Sequence, residues 1–141
     1  MSRRSSPLSN AAWRILVLLL TAEVAYVSAQ RYFTLAQPAP PPIVENAFAN
    51  PFLILHVVGG VTALVLMPLQ FVRVIRTRLP VLHRGLGLVS ILACAVGAPA
   101  GFMLALGTTA GPVAAVGFAI PAVLWALSTW MGWNAARNRR F

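Results

Sequence analysis

Two histidines are the side chains in this sequence best suited to redox chemistry, and both lie in or beside a long apolar run. His56 lies near the start of the run that begins at Phe52, and His83 lies in the basic segment that follows it. Imidazole groups on facing membrane helices commonly bind haem iron. These residues raise the hypothesis of a haem- or quinone-associated redox protein that uses His56 and His83.

The separation of the two histidines along the chain is too large for one shared haem. At 1.5 Å per helical residue, His56 lies about 25 Å from Arg73, whereas His83 lies within the basic segment itself. Two axial nitrogens on one iron are only about 4 Å apart, because each metal–nitrogen bond is about 2 Å long. Haem therefore stays one candidate, and the sequence assigns no cofactor. It also contains no catalytic constellation and no cluster of residues at metal-ligand spacing, so we favour a module that is not an enzyme.

Glu23 is an acidic residue inside the first apolar run. It lies about 13–15 Å from the basic end of that run, near the middle of a hydrocarbon layer of roughly 30 Å. A charged carboxylate is costly at that depth, so we expect Glu23 to be neutral, paired or directed at a polar cavity. Tyr26 and Gln30 share its helical face. Proton-coupled transport around Glu23 and a purely structural hydrogen bond are both open interpretations.

Four arginines lie within twelve residues between the second and third apolar runs. They are Arg73, Arg76, Arg78 and Arg84. A helix that starts there exposes backbone N–H groups, which favour anions, and the arginines add positive charge. The segment is therefore a candidate contact for an anionic lipid head group or a phosphate. The alternative is that these arginines only determine membrane topology.

The composition of the chain indicates that membrane helices position these residues. Of its 141 residues, 59% are hydrophobic and only 9% are charged, whereas soluble proteins average about 25% charged residues. We predict an all-α fold, an integral membrane four-helix bundle that forms a single domain over residues 1–141. The predicted helices span about 13–35, 52–74, 84–106 and 113–133, with a proline-rich extended outer loop at 37–51 and a basic hinge at 73–84.

Three details refine this prediction. The first apolar run is too long for a typical signal-peptide core, so we expect a retained anchor helix. Pro68 predicts a kink near the end of the second helix. Pro112 suits the first position of the fourth helix, because the N–H that proline lacks would be unpaired there anyway.

The distribution of the arginines predicts the orientation of the chain. The formal net charge is +9, with eleven basic and two acidic residues. Nucleic acid is disfavoured as a partner, because the arginines cluster at the ends of apolar runs and do not form a soluble basic face. Four spans place ten arginines on the side that holds both termini and the hinge, and only Arg31 on the other. The positive-inside rule then predicts cytoplasmic termini in a multi-pass protein of the bacterial inner membrane.

Small residues recur at alternating steps of three and four along the predicted helices. Such spacing keeps them on one face, where helix backbones can approach closely. We expect these faces to pack within the bundle, to form a homodimer or to leave a slot for a flat cofactor or a lipid tail. The glycines on them are Gly60 in the second helix and Gly87, Gly97 and Gly101 in the third.

The central part of the chain resembles the domain-of-unknown-function 2306 family of predicted bacterial membrane proteins. The matching residues are His56 with Gly59 and Gly60, Ala63-Leu64, Pro68 with Gln70-Phe71, Arg76 with Arg78 and Pro80, and His83-Arg84 with Gly87. The resemblance covers residues 13–136. Met67 stands where the family pattern has glycine, and Val89-Ser90 where it has tyrosine. The chain resembles a short member without a second His-Arg element. The resemblance implies an integral membrane protein and no defined activity.

Overall fold

The computed structural model describes residues 7–33 and 41–138, and the regular structure of these residues is entirely helical. The all-α prediction is therefore confirmed. The helices are α1 (Pro7–Phe33), α2 (Pro41–Val44), α3 (Ala49–Leu66), α4 (Arg73–Arg78), α5 (Pro80–Leu106) and α6 (Pro112–Arg137), with a 3₁₀-helix at Pro68–Phe71 between α3 and α4.

Three segments of the described chain are long and apolar enough to cross a membrane. They are Ala49–Phe71, Pro80–Leu106 and Pro112–Arg137. Helix α1 contains a shorter apolar stretch at Ile15–Ser28. The predicted end of the first helix, at residue 35, lies outside the described residues.

The chain breaks at Pro68, where the sequence predicts only a kink. Proline cannot donate the backbone hydrogen bond that would continue an α-helix, and α3 ends at Leu66. After the 3₁₀-helix, Val72 has an extended backbone and α4 starts at Arg73. The predicted hinge at 73–84 is thus mostly helical. Helix α5 begins at Pro80 and not near residue 84, because proline is well tolerated at a first helical position.

The proline-rich segment also contains more helix than predicted. Residues 37–40 lie outside the described part of the chain, but Pro41–Val44 forms one helical turn. Prolines at the start of a helix lose no backbone hydrogen bond, which explains why they permit this turn. Asn46 anchors the segment, because its Nδ2 donates a hydrogen bond of 2.8 Å to the backbone oxygen of Leu104 near the end of α5.

Helix α5 lies at the centre of the packing. Helix α3 packs along it, α6 also packs against it, and α1 packs against α3. The buried residues of α5 are small, which allows the neighbouring backbones to approach closely; they are Ser90, Cys94, Gly97, Ala98, Ala100, Gly101 and Ala105. Large apolar side chains instead cover the outside of the helices, as expected for a protein surrounded by lipid.

A tight turn connects α5 to α6. Gly111 precedes α6 with a φ of 94°, a backbone conformation that glycine adopts without steric strain. Pro112 follows at the first position of α6, so this prediction from the sequence is confirmed.

Candidate functional site

His56 is held against α5 by a hydrogen bond to the backbone. Its Nδ1 lies 2.9 Å from the carbonyl oxygen of Gly97. A carbonyl oxygen can only accept, so Nδ1 carries the proton and the Nε2 of a neutral ring is an unprotonated acceptor. Nε2 has no hydrogen-bond partner among the described residues. This arrangement fixes the ring and leaves one nitrogen free for a ligand.

Glycines on both helices allow α3 and α5 to lie almost backbone to backbone. A Cβ added at Gly101 would lie 2.6 Å from Nδ1 of His56, so the imidazole occupies the space of a missing side chain. A Cβ added at Gly59 would lie 2.7 Å from the carbonyl oxygen of Ala93 and 2.9 Å from Cα of Gly97. The absence of a side chain at Gly59 therefore allows α3 to approach α5 this closely.

The structure differs from the sequence interpretation at Gly60. A Cβ added there would meet no atom within 4 Å, so Gly60 does not pack against another helix. Gly97 and Gly87 do have close neighbours: a Cβ at Gly97 would lie 3.1 Å from the Trp125 ring, and one at Gly87 would lie 3.2 Å from the side-chain amide of Gln70. The buried glycine of α3 is thus Gly59.

Trp125 of α6 completes the surroundings of His56. The two ring centroids lie 6.2 Å apart at an interplanar angle of 81°. This edge-to-face arrangement is one that aromatic rings favour. Trp125 is not among the residues predicted from the sequence. The available signal was its position in the interior of an apolar run, away from the helix ends where tryptophan is expected to contact head groups.

A groove of about 1440 Å³ runs along α1 and α3. We call it the α1–α3 groove. His56 and Trp125 line it, as do Arg73 and Arg76, and apolar side chains form most of the wall between these two groups. From His56 to the end of α3 at Leu66 is ten residues, or about 15 Å of helix, and the 3₁₀-helix lies between Leu66 and Arg73. The groove is therefore long, apolar along its length and basic at one end.

The four arginines of the basic segment do not share one environment. All four are exposed. Arg73 and Arg76 line the α1–α3 groove, whereas Arg78 and Arg84 are not among its lining residues. The predicted anion contact is thereby divided into a pair at the groove and a pair outside it.

His83 lies far from His56 and contacts a different element. Its Nδ1 lies 3.3 Å from the side-chain nitrogen of Gln70, which donates to it, and the side-chain oxygen of Gln70 accepts from the backbone N–H of Gly87 at 3.1 Å. His83 precedes Gly97, the partner of His56, by fourteen residues on α5, or about 21 Å. The structure does not bring the two histidines to one ligand.

Glu23 lies on the exposed side of α1. The face of α1 toward α3 contains the buried Ala25 together with the half-buried Thr21 and Ser28. Two residues make little more than half a helical turn, so Glu23 points to nearly the opposite side from Ala25. It is not among the residues that line the groove, and it has no hydrogen-bond or ion-pair partner in the described part of the chain. The described residues also contain no group of three or more His, Cys, Asp or Glu that could hold a metal ion.

Comparison with known proteins identifies one family. A family model described as a predicted membrane protein (DUF2306) matches residues 53–141. This range contains both histidines and the four arginines of the basic segment, whereas α1 precedes it. The resemblance to this family noted in the sequence is confirmed over residues 53–141. Neither curated proteins nor solved structures gave a significant match.

Proposed function

We propose that this chain, which belongs to the DUF2306 family of predicted membrane proteins, is a non-enzymatic membrane module that binds an anionic lipid in the α1–α3 groove. The observation that carries the proposal is the position of Arg73 and Arg76 at one end of a long apolar groove. A lipid head group with a phosphate would meet the guanidinium groups, and one acyl chain would follow the apolar wall.

The dimensions of the groove support a lipid as its ligand. Half of a hydrocarbon layer of roughly 30 Å is about 15 Å, which is the depth that one acyl chain covers. At 1.5 Å per residue, this depth corresponds to about ten residues counted back from Arg73 and ends near Ala63 and Leu64, both of which line the groove; Gly60 lies one turn further along it. Arginine suits the other end, because its planar guanidinium group binds phosphate through paired hydrogen bonds.

We further propose that α1 is a fourth membrane-spanning helix and that both termini lie in the cytoplasm of a bacterial cell. The excess of arginine on one side of the predicted bundle supports this orientation, and it puts Arg73 and Arg76 at the leaflet where anionic lipids attract basic residues. Tags at the two termini should be inaccessible from the periplasm of intact cells. Periplasmic labelling of either tag would reject the orientation.

Lipid binding can be tested with the two pairs of arginines. We expect native mass spectrometry of the purified protein to detect bound phosphatidylglycerol in preference to phosphatidylcholine. An exposed ion pair between a guanidinium group and the lipid phosphate contributes up to about 1 kcal/mol, so Arg73→Gln with Arg76→Gln should weaken phosphatidylglycerol binding by up to about thirtyfold. Arg78→Gln with Arg84→Gln is the control, since it removes the same charge outside the groove. Equal losses in the two double variants would reject the groove as the binding site.

The apolar part of the groove can be tested at Gly60. A side chain has room there, because a Cβ meets no atom within 4 Å, and Gly60 lines the groove. Gly60→Leu should therefore fill the groove where the acyl chain ends and weaken lipid binding without disturbing helix packing. Gly117→Leu on α6 is the matched control, since its Cβ also meets open space and Gly117 does not line the groove. Unchanged lipid binding in Gly60→Leu would contradict the proposal.

The fixed ring of His56 supports a second candidate function, the binding of a redox cofactor such as haem. A histidine that ligates a metal typically donates its other ring N–H to a carbonyl or carboxylate, and the Nδ1 of His56 makes such a bond to Gly97. Titration of the detergent-purified protein with haemin should then shift the Soret band of haemin, and this shift should be lost in His56→Ala and retained in His83→Ala. A folded protein that gives no such shift would reject this candidate.

A further inference from the structure

The side of α1 that faces away from α3 carries a regular stripe of exposed side chains. Their spacing is alternately three and four residues, so they follow a heptad pattern in which every seventh residue is equivalent. All of them are exposed. We call this set the outer stripe; it consists of Leu16, Leu19, Glu23, Tyr26 and Gln30.

The outer stripe is poorly suited to contact with lipid alone. Glu23 lies within the apolar stretch Ile15–Ser28, and it has no hydrogen-bond or ion-pair partner in the described part of the chain. Tyr26 and Gln30 do interact, since the side-chain nitrogen of Gln30 lies 2.6 Å from the hydroxyl of Tyr26. A carboxyl group without a partner in hydrocarbon is costly, and such residues typically face another protein surface.

We propose that the outer stripe binds the outer stripe of a second copy of this chain, with the two α1 helices parallel. This inference goes beyond lipid binding, and it rests on the proposed insertion of α1 into the bilayer. All copies insert in the same direction, so a two-fold axis along the membrane normal brings identical residues together at the same depth. Two neutral carboxyl groups can each donate and accept one hydrogen bond, so Glu23 is complementary to its own copy.

The heptad spacing supports this partner over an unrelated one. In a parallel pair of helices with a seven-residue repeat, the side chains at two positions of each repeat insert into holes between the side chains of the facing helix. Leu16, Glu23 and Gln30 occupy one set of equivalent positions, and Leu19 and Tyr26 occupy the other. A polar residue such as Glu23 at one of these positions typically fixes the register of the pair. The small-residue face of α5 is not free for this purpose, because it is buried within the chain.

Cysteine cross-linking in native membranes can identify the contact. Leu19→Cys lies on the outer stripe and should give a disulfide-linked dimer with twice the mass of the chain on oxidation. Thr21→Cys is the control, because Thr21 faces α3 and lines the groove. The single native cysteine, Cys94, is fully buried and should not contribute. Equal cross-linking at both positions, no cross-linking at Leu19→Cys, or a product that contains a different protein would overturn the proposal.

Substitution of Glu23 tests the role of its carboxyl group. Glu23→Leu should weaken dimerisation, measured by energy transfer between labelled chains in vesicles, by about fivefold to thirtyfold, as expected for loss of an interhelical hydrogen bond in lipid. Glu23→Gln should stay within about twofold of the native chain, since the amide group also donates and accepts. A Glu23→Leu variant that dimerises like the native chain would overturn the role of Glu23. Tag accessibility tests the insertion of α1 separately.

Discussion

Because of the way α3 packs on α5, we expect substitution by alanine to have opposite effects on stability at two neighbouring glycines. Gly59→Ala adds a methyl group 2.7 Å from the carbonyl oxygen of Ala93, 2.9 Å from Cα of Gly97 and 3.0 Å from the nitrogen of Gly97. All three atoms belong to the backbone, so no side chain can rotate away. Ordinary contacts of this kind are at least 3.4 Å long. The two helices would have to separate by about half an ångström or more.

The expected difference in the free energy of unfolding is obtained by comparing Gly59→Ala with Gly60→Ala. Inserting a methyl group into a filled contact costs about 1–3 kcal/mol. Replacing glycine by alanine within a helix stabilises it by up to about 1 kcal/mol, and this contribution is common to both positions. Gly60→Ala has no steric cost, because its Cβ meets no atom within 4 Å. The difference in the free energy of unfolding between the two variants should therefore equal the steric cost, about 1–3 kcal/mol.

Cys94 provides the assay. Its side chain is fully buried, so it should react with N-ethylmaleimide only after the helices separate. Titration of the purified protein with sodium dodecyl sulfate, followed by the extent of alkylation, should give a lower unfolding midpoint for Gly59→Ala than for Gly60→Ala. A lower midpoint for Gly60→Ala, or equal midpoints for the two variants, would refute the packing derived from the structure.

Two further predictions, each with a comparison variant, concern the end of α5 and helix α6, and the same titration checks all four variants. Asn46 donates a hydrogen bond to the oxygen of Leu104, so Asn46→Ala should destabilise the fold by about 1–3 kcal/mol. Asn134→Ala removes only an exposed contact within α6 and should change stability by less than about 0.5 kcal/mol. Gly111 has a φ of 94°, where alanine is strained, so Gly111→Ala should cost about 1–2 kcal/mol. Gly117→Ala, in the interior of α6, should instead raise the unfolding midpoint, since alanine favours the helix.

The long helices could be predicted because their signals are local. An apolar run of twenty or more residues predicts a membrane helix from length and composition alone, and proline marks a helix start from its own covalent structure. Pro112 is predicted correctly for this reason. Pro68 is harder, because a proline either kinks a helix or ends it. Here α3 ends, and the chain continues as a 3₁₀-helix whose Gln70 side chain contacts His83 on α5.

The candidate site could be predicted only in part, because its walls come from three distant parts of the chain: residues 13–28, residues 56–76 and Trp125. Gly59 and Gly60 are adjacent, and small-residue spacing alone does not show which of them faces α5. Trp125 reaches His56 from α6, about seventy residues later in the sequence, and no local pattern indicates that contact. Arg73, Arg76 and Arg78 all lie on the short helix α4, and the sequence does not show which side of that helix lies toward the groove. In the structure, Arg73 and Arg76 are on that side.

Helix α1 takes part in both the α1–α3 groove and the outer stripe. Its inner side, around Ala25, packs on α3 and forms one wall of the groove, whereas its outer side carries an acidic residue that finds no partner within the described chain. Among the described residues α1 packs mainly against α3, so few side chains fix its position. Pairing of two copies through the outer stripes would hold α1 from both sides. Lipid binding and dimerisation would then be coupled through α1, so lipid binding by Glu23→Leu should weaken along with dimerisation while that of Glu23→Gln does not.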